Sequence, residues 1–153
     1  RLSCQTLEGD KLMRYLAAMV LPFIIVGCQK EESPSTFYER YNQKVVSGIS
    51  TLEDDARFYS SRKRKEVESR IPAFMKKTNK TREEAIRFYL DFSQAVAKCK
   101  KIELVEEVID GEVAHLTYNQ EDVCGNTSPI QETQKVRLVN ENGWKIDEVE
   151  ISL

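Results

Sequence analysis

The 153-residue chain predicts the α+β class, with N-terminal helices packed on a four-stranded antiparallel sheet. Two observations support this prediction. Apolar residues recur at steps of three and four as far as Lys98, which indicates helices, and they alternate after Cys99, which indicates strands. Helices followed by a run of strands are typical of an α+β domain, and the length fits one such domain.

The first two helices are predicted from an apolar stripe and a capping residue. The stripe begins near Thr36, and Gly48 weakens the end of the helix because glycine is a poor helix former. Thr51, with Asp54 three residues later, has the pattern of an N-cap followed by an acidic first turn. The second helix is therefore expected to run from Leu52 to about Ser60.

The third segment is polar and contains a proline, whereas the fourth has a strong start signal. Residues 61–70 favour a helix that Pro72 should end or kink, with a further short helix over 73–77. Thr81-Arg82-Glu83-Glu84 is a capping box, in which threonine and glutamate satisfy each other's backbone amides. It predicts a long helix that ends near Lys98.

The sheet is predicted to start with a hairpin. Asp110-Gly111 separates alternating segments over 102–109 and 112–118, which favours a type I′ turn. A third strand is expected over 131–139 and a last strand from Trp144 to Leu153. The apolar phase slips within the last strand, so a β-bulge near Asp147-Glu148 is expected to restore its facing.

The segment from Met13 to Cys28 has the organisation of an export signal. A cation follows Met13, and the chain is then apolar until Gly27. The apolar core is shorter than the roughly 20 residues of a permanent membrane helix. We therefore interpret residues 1–12 as an upstream or mis-called extension, 13–27 as a signal peptide, 28–35 as a tether and 36–153 as one α+β domain.

Ile25-Val26-Gly27-Cys28 resembles the lipobox of bacterial lipoproteins. The resemblance implies diacylglycerol on the Cys28 sulfur, cleavage after Gly27 and fatty acylation of the new terminus, for example with palmitate. Gln29 in place of aspartate implies the outer membrane, facing the periplasm, if the source is Gram-negative. A plain secretory signal, or a membrane helix with a chance cysteine, is the alternative.

The remaining cysteines are predicted to form a disulfide. Cys4 lies upstream and Cys28 is assigned to lipid, which leaves Cys99 and Cys124 in a compartment where disulfides persist. The predicted hairpin brings these two residues to within one diagonal step, and a disulfide needs Cα atoms within about 7 Å.

The domain resembles the nuclear-transport-factor-2-like superfamily, in which a curved sheet forms a cone around a long helix. The resemblance rests on the Phe37-Tyr38 start, the long helix before the sheet, and Gly143-Trp144-Lys145-Ile146-Asp147. That superfamily includes lipoprotein-anchored domains of unknown function. The resemblance implies an apolar cavity between helix and sheet, with the possible lining residues Tyr89, Phe92, Leu104, Leu116, Tyr118 and Trp144.

Charge is unevenly distributed along a chain whose net charge is −2. Residues 62–82 carry nine cations against two acids, whereas residues 103–150 carry twelve acids against three cations. The basic segment is either a solvated helix face or a surface for anionic lipid. We expect no nucleic-acid partner for an exported chain.

The sequence contains no recognisable catalytic set. It has no glycine-rich phosphate loop, nucleophile elbow or His-Glu-x-x-His motif. Cys99, His115 and Cys124 supply three zinc ligands at most, without the close cysteine pair of structural sites. No cofactor and no metal are expected.

Three hypotheses about function follow. The first is a non-enzymatic envelope lipoprotein, held at the membrane by its lipid, that binds a small molecule or an envelope protein. The second is an isomerase or dehydratase that uses His115 and Tyr118 in the cavity, which requires both side chains to point inward. The third is a structural protein that docks through the basic segment 62–82.

Overall fold

The computed structural model of the chain describes residues 32–125 and 132–152. The interpreted extension, the signal peptide and Cys28 lie outside the described residues. Within them, four α-helices precede four β-strands, so the α+β class and the order of its elements are confirmed.

The first two helices begin at hydroxyl caps. Helix α1, Pro34–Ser47, starts two residues earlier than predicted, after Ser33 Oγ, which accepts from the Thr36 amide at 3.2 Å. Helix α2, Leu52–Ala56, follows Thr51 as predicted, but it ends about four residues early. It ends early because Tyr59 forms a parallel β-bridge to Ile146, which draws the chain out of helical geometry.

Helix α3 spans Ser61–Thr78 and contains Pro72, so the predicted end at this proline, with a separate helix over 73–77, is wrong. The alternative, a kink at Pro72, stays a prediction. Proline removes one amide donor, and the residue four positions earlier, Glu68, is exposed, so water can satisfy its carbonyl group. The ring of Phe74 stacks on Phe88 of the next helix, which also holds the C-terminal half of α3 in place.

Helix α4, Arg82–Lys98, begins with the predicted capping box and ends where predicted. The Thr81 amide donates to Glu84 Oε2 at 2.8 Å, and the Glu84 amide donates to Thr81 Oγ1 at 3.3 Å. Two of the amides that have no partner inside the helix are thereby satisfied.

The strands form an antiparallel meander in the order β1-β2-β3-β4, and this sheet does not close into a barrel. Their bounds are β1 Lys100–Asp110, β2 Val113–Asp122, β3 Glu132–Asn140 and β4 Trp144–Ser152. The four predicted strands are thus all present in the described residues.

The first hairpin turns one residue later than predicted. Asp110 pairs with Val113, so Gly111 and Glu112 form the turn. Gly111 has φ +57°, whereas Glu112 is not among the residues with positive φ, so the predicted type I′ turn is wrong. Strand β1 also carries a bulge at Val105 that the alternation did not predict.

The predicted bulge in β4 is confirmed at Asp147. Arg137 pairs with Glu148 and the next residue pairs with Ile146, which leaves Asp147 as the extra residue. This extra residue returns Val149 and Ile151 to the face that also carries Ile146, as the apolar phase slip requires.

Asp147 also attaches α3 to the sheet. Its carboxylate accepts from Ser60 Oγ at 2.6 Å, from Arg62 Nε at 2.9 Å, and from Arg137. The Arg62 guanidinium reaches the Asp147 carbonyl oxygen as well. A buried carboxylate is stable here because charged donors surround it.

The core lies between α1, the segment after α2 and one face of the sheet. Buried residues of β2 and β3 alternate with partly or fully exposed ones, as expected for a sheet with one covered face. The buried apolar residues of this cluster are Phe37, Tyr38, Tyr59, Ala114, Leu116, Tyr118, Val136, Leu138 and Ile146.

Candidate functional site

A cavity of about 350 Å³ opens between α1, α4 and the covered face of the sheet. We call it the sheet-side cavity. Its apolar wall includes Val45, Val46, Phe92, Val96, Ala97, Ile102, Ile146, Val149 and Ile151. The 3.6-residue period of the helices and the two-residue period of the strands direct these side chains toward the same space.

Two buried amides provide polar groups in the wall. Gln134 Nε2 donates to the Tyr38 hydroxyl at 2.6 Å, and both residues are buried. Gln120 donates to Glu132, which also accepts from Lys100 Nζ at 2.7 Å. Burial, followed by the nearby phenol of Tyr118, raises the pKa of Tyr38 above its ordinary value. The cavity therefore presents amide and phenol groups on a largely apolar surface, together with Lys63 and Lys100, which are paired with Glu66 and Glu132.

A buried carboxylate, Asp55, joins three tyrosines behind this wall. Asp55 is 2% exposed, and its Oδ2 accepts from the hydroxyls of Tyr59 at 2.9 Å and Tyr89 at 3.1 Å. The Tyr41 hydroxyl lies 3.4 Å from Asp55 Oδ1 and 2.8 Å from the Tyr59 hydroxyl. We call these four residues the Asp55 cluster.

The Asp55 cluster has no cationic partner within the described ranges. Burial raises the pKa of Asp55, while the phenol donors oppose that rise. Burial likewise raises the pKa of Tyr59, so its hydroxyl stays protonated and donates. Tyr41 and Tyr59 line the sheet-side cavity, whereas Asp55 is not among its lining residues, so the carboxylate positions the tyrosine rings.

A second apolar space of about 440 Å³ lies between α3 and α4, and we call it the helix groove. Phe88 stacks between Phe74 and Phe92, with ring centroids 5.6 and 6.2 Å apart. Phe88 and Phe92 are 50% and 60% exposed, so much of this aromatic surface faces solvent. Lys63 and Arg70 stand at the groove, and both pair with Glu66.

The structure distributes the six proposed lining residues over several places. Phe92 lines both the sheet-side cavity and the helix groove, and Tyr89 lines the groove. Leu116 and Tyr118 are buried in the core, where the Tyr118 ring lies 5.4 Å from that of Tyr38. Leu104 is exposed, and Trp144 is partly buried and packs against the core.

The predicted partnership of His115 with Tyr118 is wrong. His115 is exposed, whereas Tyr118 belongs to the buried face. The two residues are three positions apart in one strand, and an odd separation places side chains on opposite faces. They therefore cannot act together in a cavity.

Tyr118 places a polar group inside the core. Its hydroxyl is buried and has no hydrogen-bond partner among the described residues. Burial raises the pKa of Tyr118, and Glu39 and Glu107 raise it further.

The predicted disulfide is present between Cys99 and Cys124, with Cα atoms 5.0 Å apart. It joins the end of α4 to the residues after β2. Lipidation at Cys28 lies outside the described residues and stays a prediction. Across residues 32–125 and 132–152, no three His, Cys, Asp or Glu side chains form a group suited to a metal ion.

Sequence reasoning missed Asp55, Gln120 and Gln134. The available signal was the spacing of Asp55 and Tyr59 by four residues, which places both on one face of the helix predicted from Leu52 to about Ser60. The two glutamines continue the inward alternation of their strands, but amides at inward positions do not identify a cavity.

Comparison of the chain with protein-family models, with curated proteins and with solved structures finds no match. In the part of the chain that the structure describes, no helix has the length and apolar character needed to cross a membrane.

Proposed function

We propose that the chain is a membrane-anchored lipoprotein of the bacterial cell envelope whose domain binds a small, largely apolar molecule in the sheet-side cavity. The observation that carries this proposal is the cavity itself, an apolar space of about 350 Å³ with two buried amides in its wall. Small-molecule sites are commonly concave, mostly apolar and about 300–1,000 Å³ in volume, with a few polar groups that orient the ligand.

The wall suits a ligand with an apolar body and one hydrogen-bonding group. The aliphatic residues of α4 and β4 would cover the body, while Gln120 and Gln134 would meet the polar group. The Asp55 cluster supports this role because it holds two of the tyrosine rings of the wall in one arrangement. Preorganised walls lower the entropic cost of binding.

The proposed location rests on the sequence. The apolar segment and its lipobox-like end at Cys28 support a lipid anchor, and Gln29 supports the outer membrane in a Gram-negative cell. The disulfide between Cys99 and Cys124 is compatible with an oxidising compartment.

We also infer that the sheet belongs to the nuclear-transport-factor-2-like cone. Helices that precede a four-stranded meander, a bulge in the last strand and a cavity between helix and sheet support this finer assignment.

The binding proposal is tested with N-phenyl-1-naphthylamine, a neutral probe that fluoresces in apolar surroundings. Ala97→Trp should fill the cavity and lower the probe's affinity at least tenfold, because Ala97 lines it. Ala95→Trp is the matched control, since Ala95 is exposed on the same helix. Equal affinity in both variants would overturn the proposal.

The anchor is tested by growing a bacterial host with a clickable fatty acid. The wild-type chain should incorporate the label and Cys28→Ser should lose it. Incorporation that survives the substitution, or no incorporation in either protein, would contradict the lipobox interpretation.

A further inference from the structure

A cationic recess of about 530 Å³ lies on α1, around α2 and at the start of β4. Four cations surround it, and we call them the Arg40 face: Arg40, Lys44, Arg57 and Lys145. Apolar side chains of Phe37, Ile49 and Phe58 form part of its wall. On α1 the spacing of Phe37, Arg40 and Lys44 by three and four residues places all three on one side of the helix.

The charges of this face are incompletely neutralised. Arg40 binds both carboxylate oxygens of Glu32, at 2.9 and 2.7 Å, and its guanidinium lies over Phe37 and Phe58. Arg57 is 78% exposed and lies 3.5 Å from Asp54. Lys145 Nζ donates to the Arg57 carbonyl oxygen, and Lys44 forms no ion pair within the described residues. The four cations of the Arg40 face thus have two acidic partners, Glu32 and Asp54.

The chain length places this face close to the proposed anchor. Glu32, which Arg40 holds, is four residues after Cys28, and four residues span at most about 14 Å. If Cys28 carries lipid in the bilayer, Arg40 is kept near the headgroups. The Debye length is about 8 Å at physiological ionic strength, so the surface potential is largely screened at the full span of the tether. The cations experience this potential when the tether holds the face closer than its full span, and low salt extends the range.

We propose that the Arg40 face rests on the anionic phospholipid headgroups of the membrane that holds the anchor. This inference depends on the lipid anchor of the proposed function. Charge complementarity and the short tether support this face over the basic segment 62–82. In that segment, Arg62, Lys63 and Arg70 pair with acids of α3 and β4, and no anchor is attached nearby in sequence.

The experiment measures lysine reactivity in the lipidated full chain, reconstituted in two kinds of vesicle. Acetylation by a membrane-impermeant reagent is compared between phosphatidylcholine alone and phosphatidylcholine with 30% phosphatidylglycerol, at low salt. Lys44 and Lys145 should be acetylated about fivefold more slowly on the anionic vesicles, while Lys65, Lys76 and Lys77 keep the same rate. High salt should remove the difference, because it shortens the screening length.

A charge reversal provides the matched test. Arg57→Glu should abolish the protection of Lys44 and Lys145, whereas Arg64→Glu, an exposed arginine on α3, should leave it intact. Protection of Lys65, Lys76 and Lys77 instead would assign docking to the basic segment and overturn the proposal. Equal reactivity at all lysines would overturn it as well.

The intact mass separates the two possible failures. A chain without acyl groups disproves the anchor and, with it, this inference. A chain that carries acyl groups but leaves Lys44 and Lys145 unprotected disproves the orientation alone.

Discussion

Replacing Asp147 with asparagine tests whether charge at the β4 bulge attaches α3 to the sheet. The substitution keeps the shape of the side chain but removes the negative charge that Arg62 and Arg137 bind. It also places an amide group where the carboxylate accepts from Ser60 Oγ at 2.6 Å. We expect a clear loss of stability without a change of fold.

The size of the expected loss of stability follows from the burial of the Asp147 side chain. The Asp147 side chain is 4% exposed, and breaking a buried ion pair commonly costs about 3–5 kcal/mol. Arg62 and Arg137 keep substantial exposure, so water compensates part of their lost partner. We therefore expect a loss of about 2 kcal/mol, or a fall in Tm of about 8 °C for a domain of this size.

The pH dependence of the free energy of unfolding shows whether the charge of Asp147 is the cause of the loss. Burial by itself would raise the pKa of Asp147, but hydrogen bonds from Arg62 and Ser60 and the nearby arginine charges lower it below its ordinary value. The ionised carboxylate therefore stabilises the fold above the pKa of the unfolded chain, near 4, and this contribution disappears as pH falls through the lower folded value.

Urea unfolding monitored by Trp144 fluorescence gives the free energy of unfolding at several pH values. The difference between wild type and Asp147→Asn should be largest near pH 7 and shrink toward pH 3. Glu148→Gln, at an exposed neighbouring position, should change stability by no more than about 0.5 kcal/mol. A difference that persists unchanged at pH 3 would refute the role of charge.

Three further predictions concern other groups of the domain. The raised pKa of Asp55 makes its contribution to stability fall as pH rises above about 4, which is opposite to the effect of Asp147. Asp55→Asn should remove this contribution, so urea unfolding should show less loss of stability above about pH 4 than in the wild type. Cys99→Ser with Cys124→Ser should cost about 3 kcal/mol, because the disulfide closes a loop with a sequence separation of 25, and thermal unfolding measures this loss. Tyr118→Phe should be neutral or stabilising by up to about 1 kcal/mol, since it removes a buried hydroxyl without a partner.

Each of these predictions has an outcome that contradicts it. An unchanged pH profile in Asp55→Asn would show that its carboxylate does not titrate differently in the folded chain. A double cysteine variant as stable as wild type would show that the loop closure is unimportant. A loss of more than about 1 kcal/mol in Tyr118→Phe would indicate that its hydroxyl has a partner. Leu116→Ala, expected to cost about 2–5 kcal/mol, gives the loss of stability for a buried side chain as a reference.

Features set by neighbouring residues could be predicted from the sequence. The capping box at Thr81 located α4, and the phase slip in β4 located the bulge at Asp147. The cysteine pair also followed from the hairpin, even though its register was one residue off.

Features set by distant contacts could not be predicted in this way. Pro72 stays inside a helix because α3 packs on α4, and α2 ends early because Tyr59 bridges to Ile146. The Asp55 cluster collects tyrosines from three parts of the chain, and no local pattern brings them together. The cavity depends on such contacts as well, so its glutamines were not identified.

Alanine methyl NMR on the full chain tests the central claim, ligand binding in the sheet-side cavity, most directly. Titration with N-phenyl-1-naphthylamine should shift the methyl signal of Ala97, which lines the cavity, and leave those of Ala85 in the helix groove and exposed Ala95 unchanged. Shifts at Ala85 without Ala97 would move the binding site to the helix groove. No shift at any of the three methyl groups would contradict the account.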